Sequence, residues 1–272
     1  MDFNKLVEKL AEVSFYIRDV HYFSKEPGSF VQGIHTGTYA FIFPIKGSAR
    51  FTFDGVDYDL SPGKVVHCGP DMILDKRVIG NENWCYFEVY YNIINPKPEQ
   101  LEVINNHYEL EIGENPRIDE LLRIMNKLYK TPGNIPAFKV KELFYSILYE
   151  IIISHRNTSL GESRLLVEEA IEYIHGNYMH NLTLEDLSIR YGMKVDNFSY
   201  IFHKYTGVRP INYLIIHRMK IAEELLLTRD YSVRKVAESV GYSDPYYFSR
   251  LFKKHKQIAP SEMKNRFQNN PL

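Results

Sequence analysis

Cysteine is scarce: Cys68 and Cys85 are the only two in 272 residues. They make no recognisable metal or redox spacing, which fits a reducing, cytoplasmic setting. Long apolar runs are missing too. The most apolar stretch, Ile151-Ile152-Ile153, lies between Glu150 and His155-Arg156, well short of the roughly eighteen residues a membrane span needs, so no membrane partner is expected. The opening Met1-Asp2-Phe3-Asn4-Lys5 lacks the charged-then-apolar order of a secretory leader. Neither charge dominates, since 33 Lys and Arg face 34 Asp and Glu. That balance hides a mild asymmetry: from Glu162 onward there are 16 basic against 13 acidic side chains, and before it 17 against 21. A slightly basic C-terminal part suits a polyanion without establishing one. What remains is an ordinary globular mixture, 44% hydrophobic and 25% charged, long enough for two domains.

The chain changes texture twice. Residues 2–12 place Phe3, Leu6, Val7 and Leu10 on one helical face. From about Ser14 to Asn92 the pattern is β-like. Tyr39–Phe43 is aromatic and β-branched and ends at Pro44 and Gly47; Phe51-Thr52-Phe53 meets Val56–Leu60 across Asp54-Gly55. That dipeptide favours positive φ at both central positions and signals a hairpin. Ala49, Phe51, Phe53, Val56, Tyr58 and Leu60 are expected on its buried face. Lys64–Cys68 and Trp84–Tyr91 read as further strands, and short strands at this spacing predict a β-sandwich or small barrel. After Pro96 and Pro98 a possible strand at Tyr108–Ile112 precedes two helical stripes: Leu121, Leu122, Met125 and Leu128, then Leu143, Phe144, Ile147, Leu148 and Ile151. Such stripes serve a core or a dimer interface. Asn157–Ser163, polar and containing Gly161, reads as a linker.

The informative feature beyond it is an internal repeat. Thr183–Gly192 begins with a helix-cap candidate followed by Glu185 and Asp186, and Ser232–Gly241 repeats its layout 49 residues later. Each leads through apolar residues and a small one, Ser188 or Ala237, to a glycine that can end a helix in the left-handed conformation. A second helix follows each glycine. Phe198-Ser199-Tyr200-Ile201-Phe202 and Phe248-Ser249-Arg250-Leu251-Phe252 align at an offset of 50, so the second turn is one residue longer. The phenylalanines, four apart, anchor each helix inward, and Ser199, Tyr200, Ser249 and Arg250 are expected to point outward. That is the layout of a helix-turn-helix, whose second helix meets base edges while basic residues meet phosphates. The helix expected at Ile211–Thr228 would hold the two units rigidly, with their recognition helices about one helical turn apart on one face of DNA, over a single asymmetric site.

Residues from about Leu166 to Lys264 resemble the AraC/XylS transcription regulators. The resemblance rests on Arg218-x3-Ala222-x2-Leu225-Leu226, Val236-Ala237-x2-Val240-Gly241-Tyr242, Tyr247-Phe248-Ser249-Arg250-x-Phe252-Lys253 and Pro260. It departs at Ser188, where alanine is usual, at Gln257, where glycine is usual, and at Lys264, where arginine is typical. The resemblance implies that Asp196, Ser199 and Tyr200 face bases in the first unit, with Asp196 favoured as a cap, and that Pro245, Tyr246, Ser249 and Arg250 do so in the second. Arg250 suits bidentate contact with guanine. Lys204, Lys253 and Lys254 read as phosphate clamps.

Many members of that family carry a cupin-like barrel that binds a small effector, and Leu60-Ser61-Pro62-Gly63 followed by His67 resembles a cupin motif. Of the cupin ligand positions only His35 and His67 retain ligands, and two imidazoles make a poor divalent site. No metal, no cofactor and no catalysis are expected. Lys46 and Trp84 match pocket positions of arabinose-type regulators; with His35, Tyr39, Phe41, His67 and Tyr86 they form the expected effector set, suited to a sugar or an aromatic compound.

The expectation is thus an α+β chain of two domains. Residues 1–156 form a cupin-like effector and dimerisation domain, the barrel at about 14–112 and helices at about 117–156; 157–163 form a linker; 164–272 form the tandem helix-turn-helix domain. By resemblance the chain is an effector-responsive activator of metabolic or uptake genes, homodimeric through the 117–156 helices, working with double-stranded DNA and RNA polymerase. The alternative is an effector-independent regulator whose barrel serves only dimerisation.

Overall fold

A computed structural model describes residues 2–161 and 163–269. They divide into two compact units, Met1–Gly161 and Glu162–Leu272.

The first unit opens with helix α1 (Phe3–Glu12), capped by Asp2, whose carboxylate accepts from the amides of Asn4 and Lys5. Eight strands follow: β1 (Ser14–Lys25), β2 (Phe30–His35), β3 (Tyr39–Lys46), β4 (Ser48–Phe53), β5 (Val56–Leu60), β6 (Lys64–Cys68), β7 (Ile73–Ile79) and β8 (Trp84–Ile94). Helix α2 (Pro98–Ile104), strand β9 (Tyr108–Glu111) and helices α3 (Pro116–Tyr129) and α4 (Asn134–Leu160) complete it. The strands form a five-stranded sheet, β1-β8-β3-β6-β9, and a four-stranded sheet, β2-β7-β4-β5. Asp54 (φ 48°) and Gly55 (φ 85°) make the β4–β5 turn, pairing Phe53 with Val56. The expected buried face holds at Ala49, Phe51, Phe53 and Leu60, but Val56 is 48% exposed, because it sits at the hairpin end beyond the opposing sheet's cover.

Two apolar layers result. Ala40, Ile42, Phe51, Phe53, Val66, Leu74, Trp84 and Tyr86 come from both sheets and pack between them. Phe41, Phe43, Val65, Phe87, Val89 and Tyr91 come from the opposite face of the five-stranded sheet and pack against α1, α3 and α4. Both helical stripes expected from the sequence lie in this second layer: Leu121, Leu122 and Met125, and Leu143, Phe144, Ile147, Leu148 and Ile151 are buried there. They cover the sheet and are not free for a second subunit. α4 also runs on to Leu160, so the linker expected at 157–163 is helical over most of its length. Thr158 and Ser159 are exposed on the last turn of α4, Gly161 ends that helix at φ 50°, and Ser163 already begins the next helix.

The second unit is all helical: α5 (Ser163–Asn177), α6 (Leu184–Arg190), α7 (Val195–Thr206), α8 (Pro210–Thr228), α9 (Val233–Ser239), α10 (Pro245–Lys256) and α11 (Pro260–Asn269). Four residues separate α6 from α7 and five separate α9 from α10, the one-residue difference read from the repeat. Thr183 and Asp186 close a reciprocal capping box on α6, while Ser232 caps α9 through the Lys235 amide alone. Among the described residues no helix is long and apolar enough to cross a membrane.

Candidate nucleic-acid interface and inter-sheet cavity

In α7, Phe198, Ser199, Phe202 and Tyr205 are buried, and in α10, Phe248 and Phe252. The opposite faces are open to solvent. Asp196, Asn197, Tyr200, His203 and Lys204 are exposed on α7; Tyr246, Tyr247, Arg250, Lys253 and Lys254 are exposed on α10. The two stripes correspond position by position at the offset of 50 and follow the three-and-four spacing of one helix face. Asn197, His203 and Tyr247 lie on them although the sequence-derived set omits them; their signal was simply that spacing.

Three expectations change. Ser199 is only 6% exposed: α7 is packed by α5, α6 and α8, so its buried wedge is wider than the phenylalanine stripe. Ser249 is half-buried and its hydroxyl donates back to the Pro245 carbonyl at 2.8 Å, and Pro245 itself is half-buried. Asp196 does not cap α7. Lys194 is the cap residue, without a side-chain bond, and Asp196 lies in the first turn, where a carboxylate favours the helix dipole. The side-chain cap belongs to the second unit, where Asp244 accepts from the Tyr246 amide at 2.8 Å.

Arg218 ties α8 to the segment that leads into the first helix pair and to the turn of the second. Only 8% exposed on α8, it donates through Nε to the Tyr178 carbonyl and through Nη2 to the His180 carbonyl, both at 2.7 Å, and its guanidinium lies 5.0 Å from the Tyr242 ring centre. Tyr178 and His180 lie between α5 and α6, where Tyr178 packs against the core of the second pair; Tyr242 lies in the second turn. Gly241 completes the joint: with φ at 82°, a Cβ there would stand 2.6 Å from the Met179 carbonyl oxygen and 2.9 Å from Arg218. Gln257, where the family has glycine, still adopts the left-handed cap (φ 61°), and its amide donates to the Lys253 carbonyl. Ser188 fits where alanine is usual by turning its hydroxyl to the Glu185 carbonyl, and Lys264 ties Asp230 to the Tyr231 carbonyl.

The expected effector set does not converge. Trp84 and Tyr86 face the space between the sheets, whereas Phe41 faces the helices. Tyr39 stacks on Tyr91, and His67 meets Phe41 and Tyr91 with tilted rings, on that helix-facing side. His35 is exposed on β2 and Lys46 pairs at the surface with Glu82. The physical reason is that β3 and β8 are buried on both faces, so neighbouring residues point to opposite layers while looking equally apolar. His67 is a structural residue: wholly buried, it places Nδ1 3.0 Å from the Asn106 carbonyl and Nε2 2.8 Å from the Tyr91 hydroxyl. The carbonyl can only accept, so Nδ1 carries the proton and Nε2 accepts from Tyr91. Burial, reinforced by the neighbouring His107, depresses its pKa to about 3. Among the described residues no group of three His, Cys, Asp or Glu side chains stands close enough to hold a metal ion.

Missed by the sequence reading is a polar pair between the sheets. Glu88, only 3% exposed on β8, meets Lys76 of β7 at 2.9 Å. Tyr90 hydrogen-bonds Glu88, and burial and that carboxylate push its hydroxyl well above its ordinary pKa. Burial, and the same carboxylate, push the Cys68 thiol up to about 12. A cleft of about 40 Å³ reaches the Lys76 side of this pair and is lined by Phe51, Lys76, Trp84 and Tyr86, with Glu88 behind the lysine.

Comparison with known proteins agrees with this architecture. Residues 22–127 match the AraC-like ligand binding domain and residues 187–266 match a helix-turn-helix domain. The lactose operon transcription activator of Staphylococcus xylosus is 24% identical over 236 residues, 83% of either chain. The Msm operon regulatory protein of Streptococcus mutans is 24% identical over 241 residues, 85% of this chain and 86% of that one. Among solved structures, the C-terminal domain of AraT, a response regulator from Geobacillus stearothermophilus, is 30% identical, covers 37% of this chain and 84% of its own, and has a TM-score of 0.36. A sheet-rich domain followed by a duplicated, jointed helix-turn-helix defines a DNA-binding transcription regulator, not an enzyme. The chain belongs to the AraC family.

Proposed function

We propose that the protein is an effector-responsive, cytoplasmic activator of metabolic or uptake genes that reads DNA through the exposed stripes of α7 and α10. The observation that carries this reading is the correspondence of the two stripes at one offset, facing away from the same kind of phenylalanine core. Asp196, Tyr200, Tyr246 and Arg250 stand where bases would be met, and Lys204, Lys253 and Lys254 where phosphates would be. Ser249 and Pro245 serve the start of α10 more than they serve bases. The operon activators among the relatives support activation, which implies contact with RNA polymerase. The protein would dimerise through the outward face of α3 and α4, where Ile124, Tyr145 and Tyr149 remain exposed.

The direct test is Arg250→Ala. Operator affinity is expected to fall by about 1–3 kcal/mol, with relaxed preference at one base pair. Equal loss on every sequence would make Arg250 a phosphate contact instead. A second reading, an effector-independent regulator whose sheets serve only dimerisation, draws on the failure of the expected pocket residues to converge. Thermal unfolding of the full chain with a metabolite panel, followed by Trp84 emission, separates the two: stabilisation by a metabolite supports the first, and none supports the second.

A further inference from the structure

The first unit keeps a complete ion pair in the apolar space between its two sheets. Glu88 is buried to 3% exposure, and its partner Lys76 reaches it from the opposing sheet with a side chain 18% exposed. The lysine Nζ lies 2.9 Å from the Glu88 carboxylate, 4.9 Å from the Phe51 ring centre and 5.8 Å from that of Tyr86. Trp84 completes the wall, its indole Nε1 buried without a hydrogen-bond partner. A carboxylate at one end and aromatic faces around it is the environment that holds an ammonium group. We propose that this cavity is a binding site for a small organic cation, occupied here by the chain's own Lys76, and that the effector is a primary ammonium compound that displaces it.

The charge balance selects the ligand class. Glu88 is 3% exposed and keeps only the Tyr90 hydroxyl if Lys76 leaves, and a buried carboxylate without a counter-charge is strongly disfavoured. A neutral sugar or hydrocarbon entering in place of Lys76 would strand that charge, whereas an ammonium replaces what departs. Lys76 is the member of the pair that can leave, because it borders the cleft that also reaches Trp84 and Tyr86. Its departure has a structural consequence: the pair ties β7 of the four-stranded sheet to β8 of the five-stranded one, so a free ligand would satisfy Glu88 without making that tie. The effector role rests on the effector-responsive reading above; the cation site itself does not.

The test is chemical rescue in the full chain. Lys76→Ala is expected to lower the unfolding temperature reported by Trp84, the only tryptophan. Millimolar n-butylammonium chloride should restore most of that loss and shift the Trp84 emission, while 1-butanol and sodium chloride should not. Rescue should disappear in Lys76→Ala/Glu88→Gln. Equal rescue by butanol, no rescue by either, or rescue that survives Glu88→Gln would each overturn the cation site. Should Lys76→Ala not fold, butylammonium is titrated into the unsubstituted protein and into Glu88→Gln; a saturable Trp84 shift in the first alone supports the site, and its absence overturns it. Operator affinity measured with butylammonium present separates the two halves: rescue with unchanged affinity keeps the cation site and removes its role as the effector switch.

Discussion

Gln257 holds a conformation that L side chains adopt at a cost. Its φ of 61° matches the 77° of Gly207 at the end of the first recognition helix, but its Cβ crowds the following carbonyl where glycine has none. Gln257→Gly is therefore expected to stabilise the second unit by about 1 kcal/mol, less a few tenths for the freer unfolded chain, read as a rise in the urea midpoint at constant slope. His67 makes a second residue-scale prediction. Its folded pKa of about 3 lies below the ordinary 6.5, so the unfolded chain takes up a proton first as pH falls. The stabilising contribution is complete above about pH 6.5 and is lost between there and about pH 3, with a limiting slope of about 1.4 kcal/mol per pH unit. His67→Gln should flatten the acid limb of the Trp84 unfolding curve; an unchanged limb would show that other groups govern it.

At the scale of the element, equivalent positions in the two helix-turn-helix copies carry different loads. Gly192 and Gly241 both end their helices at positive φ, yet nothing lies within 4 Å of a Cβ built at Gly192, whereas one at Gly241 meets backbone at 2.6 Å. Gly192→Ala is expected to cost about 1 kcal/mol for its conformation alone. Gly241→Ala should cost distinctly more, because the joint at Met179 and Arg218 must open; comparable losses in thermal unfolding would mean the joint yields easily. The same comparison shows what a sequence can disclose. Helix periodicity, the glycines and the recurrence of Phe-Ser-x-[Ile/Leu]-Phe made both copies legible, because they record local geometry. Ser199 was misread because its burial depends on which neighbouring helices cover α7. The effector set fails to share one layer for a related reason: in a strand buried on both faces, such as Trp84–Tyr91, hydrophobicity no longer marks which way a side chain points. Glu88 stood in that same run, and a lone carboxylate there gives no hint of the lysine that meets it from another sheet.

Taken whole, the chain joins a unit closed by two apolar layers to one closed around a repeated phenylalanine core, and its single tryptophan lies in the first. Trp84 emission therefore follows the first unit alone, whereas far-ultraviolet ellipticity sums the helices of both, so a second unit that melts separately shows as an ellipticity change without an emission change. Within the second unit, Arg218 has a thermodynamic consequence. Its two charge-assisted bonds, worth about 1.5–3 kcal/mol each, hold the carbonyls of Tyr178 and His180 between α5 and α6, and the Tyr242 ring of the second copy lies beside the same guanidinium. Loss of the second copy would uncover these bonds, which couples its melting to that of the segment leading into the first. The duplicated region is expected to unfold as one cooperative block, its calorimetric and van't Hoff enthalpies equal. Arg218→Ala should split that transition in two, turning a single rigid body into two repeats that merely share a chain.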